Sequence, residues 1–296
     1  MENIGIAKIC GLCAGCKRAI NVAEEELKSG KKVTIFKEIV HNKNVNNSLV
    51  LMGAKFEDNL ENLRGSEMVI IRAHGEPPET YKFLNENGII FKDCTCPNVS
   101  KIHEKVKEFS ENGFKIILLG KFHKAIHPEV LGTIGWSKTN IILVETEEDV
   151  EQIKAYKNEK FYIVCQTTFN MKKANDLISK IEELAKTANL EIVTNKSICD
   201  AQKMINTSSE ELAKNSDIMI VVGGKNSSNS LELFKNMQTI CPSIFIEDIF
   251  DYKSALEDAN LKINKNTKIG ITAGASTNKT ELEKLKQLIE KDLSGE

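Results

Sequence analysis

Short apolar runs alternate with amphipathic segments along almost the whole chain. IGIAKI, KVTIF, EMVIIRA, GIIFKD, FKIILLG, NIILV, KFYIVC, LEIVT, DIMIVVG, SIFIE and TKIGIT read as strands, because compact runs of β-branched and apolar residues bounded by turn residues suit strands buried on both faces. Most are followed by a polar segment of 3.6-residue period, such as AGCKRAINVAEEELKSG or SKIHEKVKEFSENG, which predicts a helix. Strand and helix in alternation predict an α/β fold with mainly parallel sheets covered by helices on both faces.

No Gly/Ser/Pro-rich linker or low-complexity tract divides the chain, so borders must come from another signal. Three cysteines supply it. Cys13, Cys96 and Cys199 each follow a predicted strand and each opens a predicted helix, in IGIAKICGLC, IIFKDCTC and LEIVTNKSIC. They divide the chain into comparable thirds, which predicts three similar α/β units arranged pseudo-threefold about a shared centre, with domains at 14–96, 97–194 and 195–296 plus 1–13. Ligands of open α/β sheets sit at such strand ends.

Composition narrows the partners. The 296 residues, 41% hydrophobic and 28% charged, can bury a proper core. A net charge of −2 with scattered lysines offers no basic stripe for nucleic acid. The start MENIGIAKIC lacks a basic segment followed by a long apolar run, and no stretch approaches the roughly 18 apolar residues of a membrane span. A cytoplasmic protein with a small-molecule ligand is the expectation. Eight cysteines in that compartment point to metal binding or catalysis rather than disulfides. Cys165 in FYIVC and Cys241 before Pro242 read as structural thiols.

The segment CGLCAGCKRAI holds three cysteines at C-x2-C-x2-C spacing. Cys10, Cys13 and Cys16 form either a self-contained iron–sulfur or zinc module, or a setting in which one sulfur holds a group whose other ligands lie far away. Spacing leaves both open. Three of the five histidines, His41 in EIVHN, His74 in IIRAHGEPP and His127 in HKAIHPEVLG, stand beyond strand ends. Imidazole there suits an anionic ligand or a metal; His103 and His123 read as structural or surface residues. In DIMIVVGGKNSSNSLELF a buried strand runs into Gly-Gly, and Lys225 to Ser230 then open a helix whose unpaired N–H groups suit an anion. IGITAGASTNKTELEKL offers Gly274 and Ser276 in the same way. In QTTFN, Thr168 or Asn170 suits a helix cap, which leaves Thr167 to face a site. The Walker pattern G-x-x-x-x-G-K-[ST] is absent. A metal-free α/β protein for phosphorylated metabolites is a second alternative on these residues alone.

Taken in order, GLCAGCKRAI, EIVHN, AHG, TCP, HPEVLG, QTT, KNSSNS and TAGAS resemble the 4-hydroxy-3-methylbut-2-enyl diphosphate reductase family from Gly11 to about Ser276. The resemblance implies three α/β domains around a central [4Fe-4S] cluster held by Cys13, Cys96 and Cys199, with one iron open to the substrate hydroxyl or water. It implies reductive dehydroxylation of an allylic diphosphate, with electrons delivered singly by ferredoxin or flavodoxin. Glu129 and Thr167 are the implied catalytic pair, and His41, His74, His127, Thr167, Ser227, Ser228, Asn229 and Ser276 the implied substrate ligands. Cys10, Cys16 and Cys94 are bystanders under this reading. Two stretches depart from the family pattern: the run after Cys199, Cys-Asp-Ala-Gln-Lys-Met-Ile-Asn, lacks C-x-A-T-x-x-R-Q, and HKAI lengthens the loop before HPEV.

Overall fold

The computed structural model describes residues 3–225 and 227–294. Among them lie the strands β1 (Ile4–Ile6), β2 (Val33–Phe36), β3 (Lys55–Glu57), β4 (Met68–Ile71), β5 (Phe91–Asp93), β6 (Lys115–Leu119), β7 (Ile141–Val144), β8 (Lys160–Cys165), β9 (Glu191–Asn195), β10 (Ile218–Val222), β11 (Ser243–Ile246) and β12 (Ile269–Ala273). They form three four-stranded sheets, ordered β1-β12-β10-β11, β3-β2-β4-β5 and β7-β6-β8-β9. Neighbours run parallel throughout the first and third sheets, and at β2–β4 and β4–β5 in the second. The expected architecture of three similar parallel-sheet α/β units is the observed one.

The reason lies in the apolar runs. Every residue of β4, β10 and β12 is buried, so each needs cover on both faces, which crossover helices of parallel sheets provide. Pairs such as Ile218 with Ile269 and Ile220 with Ile271 stack the branched side chains in register. Two differences from the sequence pattern have local causes. Lys55–Glu57 forms an edge strand with no apolar run, being exposed or half-buried throughout. GIIFKD contributes only Phe91–Asp93, because Gly88 turns the chain at φ +64° and Ile90 stays 63% exposed.

The chain separates into two compact units, one comprising Met1–Gly30, Glu38–Lys55 and Asp200–Glu296, the other Lys31–Lys37 and Phe56–Cys199. The first holds the β1-β12-β10-β11 sheet, its core built from residues such as Ile220, Val222, Ile271, Leu282 and Leu285. The second holds the other two sheets, with separate apolar clusters around Ile71 and Leu84 and around Ile117, Phe161 and Ile163. No helix among the described residues is long and apolar enough to cross a membrane.

Candidate active site

In the first unit the candidate side chains gather at the carboxyl ends of β1, β10 and β12. Cys13 is the N-cap of the helix Ala14–Lys28, and its sulfur accepts the Cys16 N–H at 3.5 Å. The segment before it is laced to the turn after β12: Gly11 N–H donates to Ala273 O, Leu12 N–H to Thr277 O and Cys13 N–H to Ala275 O, at 2.8–3.2 Å. Gly11 makes this possible, since its φ is +79° and a Cβ there would lie 2.7 Å from the Thr277 carbonyl oxygen. Donation from the Cys16 thiol, with backbone N–H groups, holds the Cys13 thiol down to about 6 although burial pushes it up.

His41 and the two polar turns meet the same sheet end. Asn42 caps the helix Lys43–Leu51 through Val45 N–H and also donates from Nδ2 to Thr277 Oγ1 at 3.3 Å. The His41 carbonyl packs directly on Gly224, and its ring Nδ1 lies 3.0 Å from Glu38 Oε2. Ser227 is the N-cap of the helix Ser228–Gln238; its Oγ accepts from Ser230 N–H at 3.3 Å and from the Ser230 hydroxyl at 3.0 Å. Two donors use both lone pairs of that hydroxyl, which leaves its hydrogen to donate to a ligand. Asn229 is half-buried in the first turn. Asn226 and the side chain of Ser228 lie outside the described residues.

Ser276 differs from Ser227. Its Oγ is buried and has no hydrogen-bond partner among the described residues, an arrangement that costs stability unless a ligand completes it. Ser276→Ala is therefore expected to weaken binding of inorganic diphosphate by about 10- to 150-fold, the worth of one hydrogen bond to a charged group, while the melting temperature holds or rises. Ser227→Ala should weaken binding and also lower stability by about 0.5–2 kcal/mol through loss of the cap. Diphosphate titrations and thermal melts of the two variants separate these outcomes; unchanged diphosphate affinity in both would remove the anion role.

The second unit assembles the remaining residues. Cys96 is the N-cap of the helix Pro97–Glu111, where the missing N–H of Pro97 costs nothing, and its own N–H donates to Ala73 O at 2.9 Å. This bond ties Cys96 to the turn carrying His74. The rings of His74 and His127 lie edge to face with centroids 5.5 Å apart. His127 caps the helix Pro128–Trp136, its Nδ1 accepting the Glu129 N–H at 3.2 Å.

Glu129 is only 2% exposed. Its carboxylate accepts Thr167 N–H at 2.6 Å on one oxygen and the Thr167 hydroxyl at 2.7 Å on the other. Burial pushes the carboxyl from 4.5 up to about 7, more than the two Thr167 hydrogen bonds pull it down. The Thr167 carbonyl in turn accepts the Cys199 N–H at 2.7 Å. One residue thus joins the acid to a cysteine. Asn98 Nδ2 donates to the Cys199 sulfur at 3.3 Å.

Behind His74 stand groups that sequence reasoning did not single out. Glu76, nearly fully buried, accepts from Arg72 Nε at 3.0 Å and from Lys37 Nζ at 2.7 Å. Arg72 and Glu76 bracket His74 and close its turn, in which Gly75 has φ +71° and a Cβ would lie 2.6 Å from His103 Cε1. His103 is buried, stacked 5.4 Å from Trp136, and pushed by burial down to about 4, so it is a neutral packing residue. His123 is exposed and 3.0 Å from Asp149. Asn98 is another such residue; a polar side chain directly after T-C-P, two positions past Cys96, was its only signal.

The other cysteines are set apart by their surroundings. Cys94 and Cys165 are buried, and burial pushes the Cys165 thiol up to about 12. Cys241 is likewise raised by burial. Cys10 donates to Ala7 O at 3.1 Å, packs against the core of the first unit, and is raised by burial.

In each unit thiols, imidazoles or short hydroxyl side chains, and in the second a buried acid, stand at the strand ends of parallel sheets, the place where open α/β proteins bind their ligands. The chain belongs to the LytB protein family, whose model matches residues 4–290. It is 37% identical over 276 residues to the 4-hydroxy-3-methylbut-2-enyl diphosphate reductase of Clostridioides difficile (strain 630), covering 93% of this chain and 94% of that one. It is 34% identical over 301 residues to the protein of the same name from Aquifex aeolicus, covering 100% and 99%. Among solved structures, the E-1-hydroxy-2-methyl-but-2-enyl-4-diphosphate reductase from Plasmodium falciparum aligns with a TM-score of 0.83 at 29% identity, covering 96% of this chain and 87% of that one. A structure of (E)-4-hydroxy-3-methyl-but-2-enyl diphosphate reductase, described as the terminal enzyme of the non-mevalonate pathway, aligns with a TM-score of 0.72 at 33% identity, covering 97% and 99%.

Membership in this family implies an iron–sulfur cluster. The donor set fits one. Cys13 is held toward the thiolate form, and N–H donors already meet two of the sulfurs, Cys16 N–H on Cys13 and Asn98 Nδ2 on Cys199. Hydrogen bonds to ligand sulfurs are among the means by which proteins tune such clusters.

Proposed function

We propose that this chain converts 4-hydroxy-3-methylbut-2-enyl diphosphate to isopentenyl diphosphate and dimethylallyl diphosphate by reductive dehydroxylation, the last step of the non-mevalonate isoprenoid pathway. Cys13, Cys96 and Cys199 hold a [4Fe-4S] cluster in which one iron lacks a protein ligand. When bound, such a cluster relays single electrons and offers Lewis acidity to a hydroxyl oxygen. The sequence has no G-x-G-x-x-G segment for a dinucleotide, so ferredoxin or flavodoxin is the electron donor in this reading.

The observation that carries the reading is the buried Glu129 with both carboxylate oxygens on Thr167. When Glu129 is ionised, Thr167 donates its hydroxyl hydrogen to the carboxylate. When it is protonated on Oε2, the carboxyl donates to Thr167 Oγ1, and the threonine hydrogen is released to point at a substrate oxygen. Proton transfer from Glu129 through Thr167 then lets the hydroxyl leave as water. His41, His74, His127, Ser227, Ser228, Asn229 and Ser276 hold the diphosphate; the orphaned hydroxyl of Ser276 and the unused hydrogen of Ser227 are the two donors best suited to it.

Anaerobically purified protein should be brown and should form both five-carbon diphosphates from the allylic alcohol when supplied with a chemical one-electron reductant. A protein that stays colourless after anaerobic reconstitution with iron and sulfide would defeat the cluster assignment. A brown protein that binds the substrate but forms neither product would defeat the reaction.

A further inference from the structure

We propose that Cys13 and Cys16 form a reversible disulfide when the chain is without its cluster, making this C-x2-C pair a thiol–disulfide exchange site. Cys13 is the N-cap, with extended backbone at φ −68° and ψ 163°, and its side chain folds over the first turn so that the sulfur lies 3.5 Å from Cys16 N. Cys16 is the third residue of the helix, so its side chain leaves the same first turn that the Cys13 sulfur covers. Residues three apart at a helix start lie within the spacing a disulfide tolerates, so closing the bond needs side-chain rotation rather than movement of the sheet. Both residues are half-buried, open to a small oxidant.

Cys10 is placed otherwise. Its thiol donates back to Ala7 O at 3.1 Å and packs on the apolar core of the first unit. Gly11 and Leu12, which separate it from Cys13, are tied to Ala273 and Thr277 by backbone hydrogen bonds. That lacing holds Cys10 away from the pairing that the helix turn offers Cys16.

The oxidant is a peroxide. Attack of the Cys13 thiolate on hydrogen peroxide forms an S–O bond and breaks O–O, giving a sulfenic acid and one water after proton transfer. Attack of the Cys16 sulfur then forms S–S and expels the sulfenic oxygen as a second water. Two thiols lose two electrons and two protons in all, and one peroxide becomes two waters. A dithiol reverses the bond by two exchange steps through a mixed disulfide. The consequence rests on the reading of Cys13 as an iron ligand: the disulfide removes that ligand while it lasts and shields the sulfur from irreversible oxidation to sulfinic acid.

The test uses the full-length chain, stripped of iron anaerobically with a chelator and then exposed to hydrogen peroxide. Two thiols per chain should disappear. Lys8 and Lys17 bracket a single tryptic peptide holding Cys10, Cys13 and Cys16, so fragmentation of that peptide reads the pairing. Wild type and Cys10→Ala should both show the Cys13–Cys16 bond, reversed by dithiothreitol with full recovery of iron uptake. Cys16→Ala should instead accumulate sulfinic acid on Cys13 and lose its iron uptake even after reduction. A bond from Cys13 to Cys10, or sulfinic acid at Cys13 to the same extent in wild type and Cys16→Ala, overturns the proposal. The pairing is read without reference to iron: a chain bearing the Cys13–Cys16 bond that still took up iron and sulfide in full would leave the disulfide standing and refute Cys13 as a ligand.

Discussion

Cys13→Ser, Cys96→Ser and Cys199→Ser, each reconstituted anaerobically with iron and sulfide, are expected to lose the cluster, whereas Cys10→Ser and Cys16→Ser retain it. The argument is one of placement. Each of the three proposed ligands stands where a strand end meets a helix start, Cys13 and Cys96 as N-caps and Cys199 just before the helix Asp200–Ala213. A serine hydroxyl at these positions keeps the shape but replaces a soft, readily ionised donor with one that stays protonated at neutral pH. Cys10 is turned to the Ala7 carbonyl and raised by burial, which opposes the thiolate that iron requires. Cys16 meets the Cys13 sulfur as a donor through its N–H, and that bond survives a change of its side chain. Iron and sulfide counts on the five variants decide the matter. Loss in Cys10→Ser with retention in Cys199→Ser would restore the local three-cysteine module. A companion variant, Asn98→Ala, should keep the cluster and shift its reduction potential, because it removes the amide donated to the Cys199 sulfur.

Glu129→Gln should bind substrate with near-normal affinity and turn over at least about 10²-fold more slowly, the lower end of what general acid catalysis contributes. Gln keeps the volume but has no proton to release. Two pH measurements sharpen the prediction. Because the carboxyl is pushed up to about 7, its proton-bearing form prevails below that pH, and wild-type kcat should fall as pH rises through it; the variant should lack this limb. Stability follows with the same sign. The folded state holds the proton more tightly than the unfolded chain, so this group favours folding below pH 4.5 and withdraws ~3 kcal/mol as pH rises to about 7 and beyond. Denaturant melts of Glu129→Gln should lose that slope. Near-normal turnover of the variant with a chemical one-electron donor would sink the assignment, and the proton would then come from Thr167, a histidine or the substrate's own diphosphate.

Much of the fold is legible in the order of residues because strand and helix periodicities are local. The run IMIVV, buried at every position, announces an interior strand, and KNSSNS beyond it announces a helix start. The edge strand Lys55–Glu57 escapes such a reading, since an edge needs backbone pairing but little apolar surface. GIIFKD misleads in the opposite way. Its first isoleucine is buried but the second is exposed beyond the turn at Gly88, and the strand begins only at Phe91.

By itself the sequence determined which residue types stand at strand ends: Cys13, Cys96 and Cys199, the three histidines, Glu129, Thr167 and the serine-rich turns. Their chemistry is carried by identity and by position relative to the nearest strand, both local properties. Tertiary structure alone decided what each one is free to do. Ser227 and Ser276 look equivalent in sequence, yet the first spends its lone pairs on Ser230 while the second is buried without a partner among the described residues. Glu129 and Thr167 are 38 positions apart, and only their meeting out of water raises the carboxyl toward neutrality. The buried Glu76 likewise meets Arg72 four positions away but also Lys37 from a different strand end, a pairing no local pattern announces, because burial and partnership are set by segments distant in the chain.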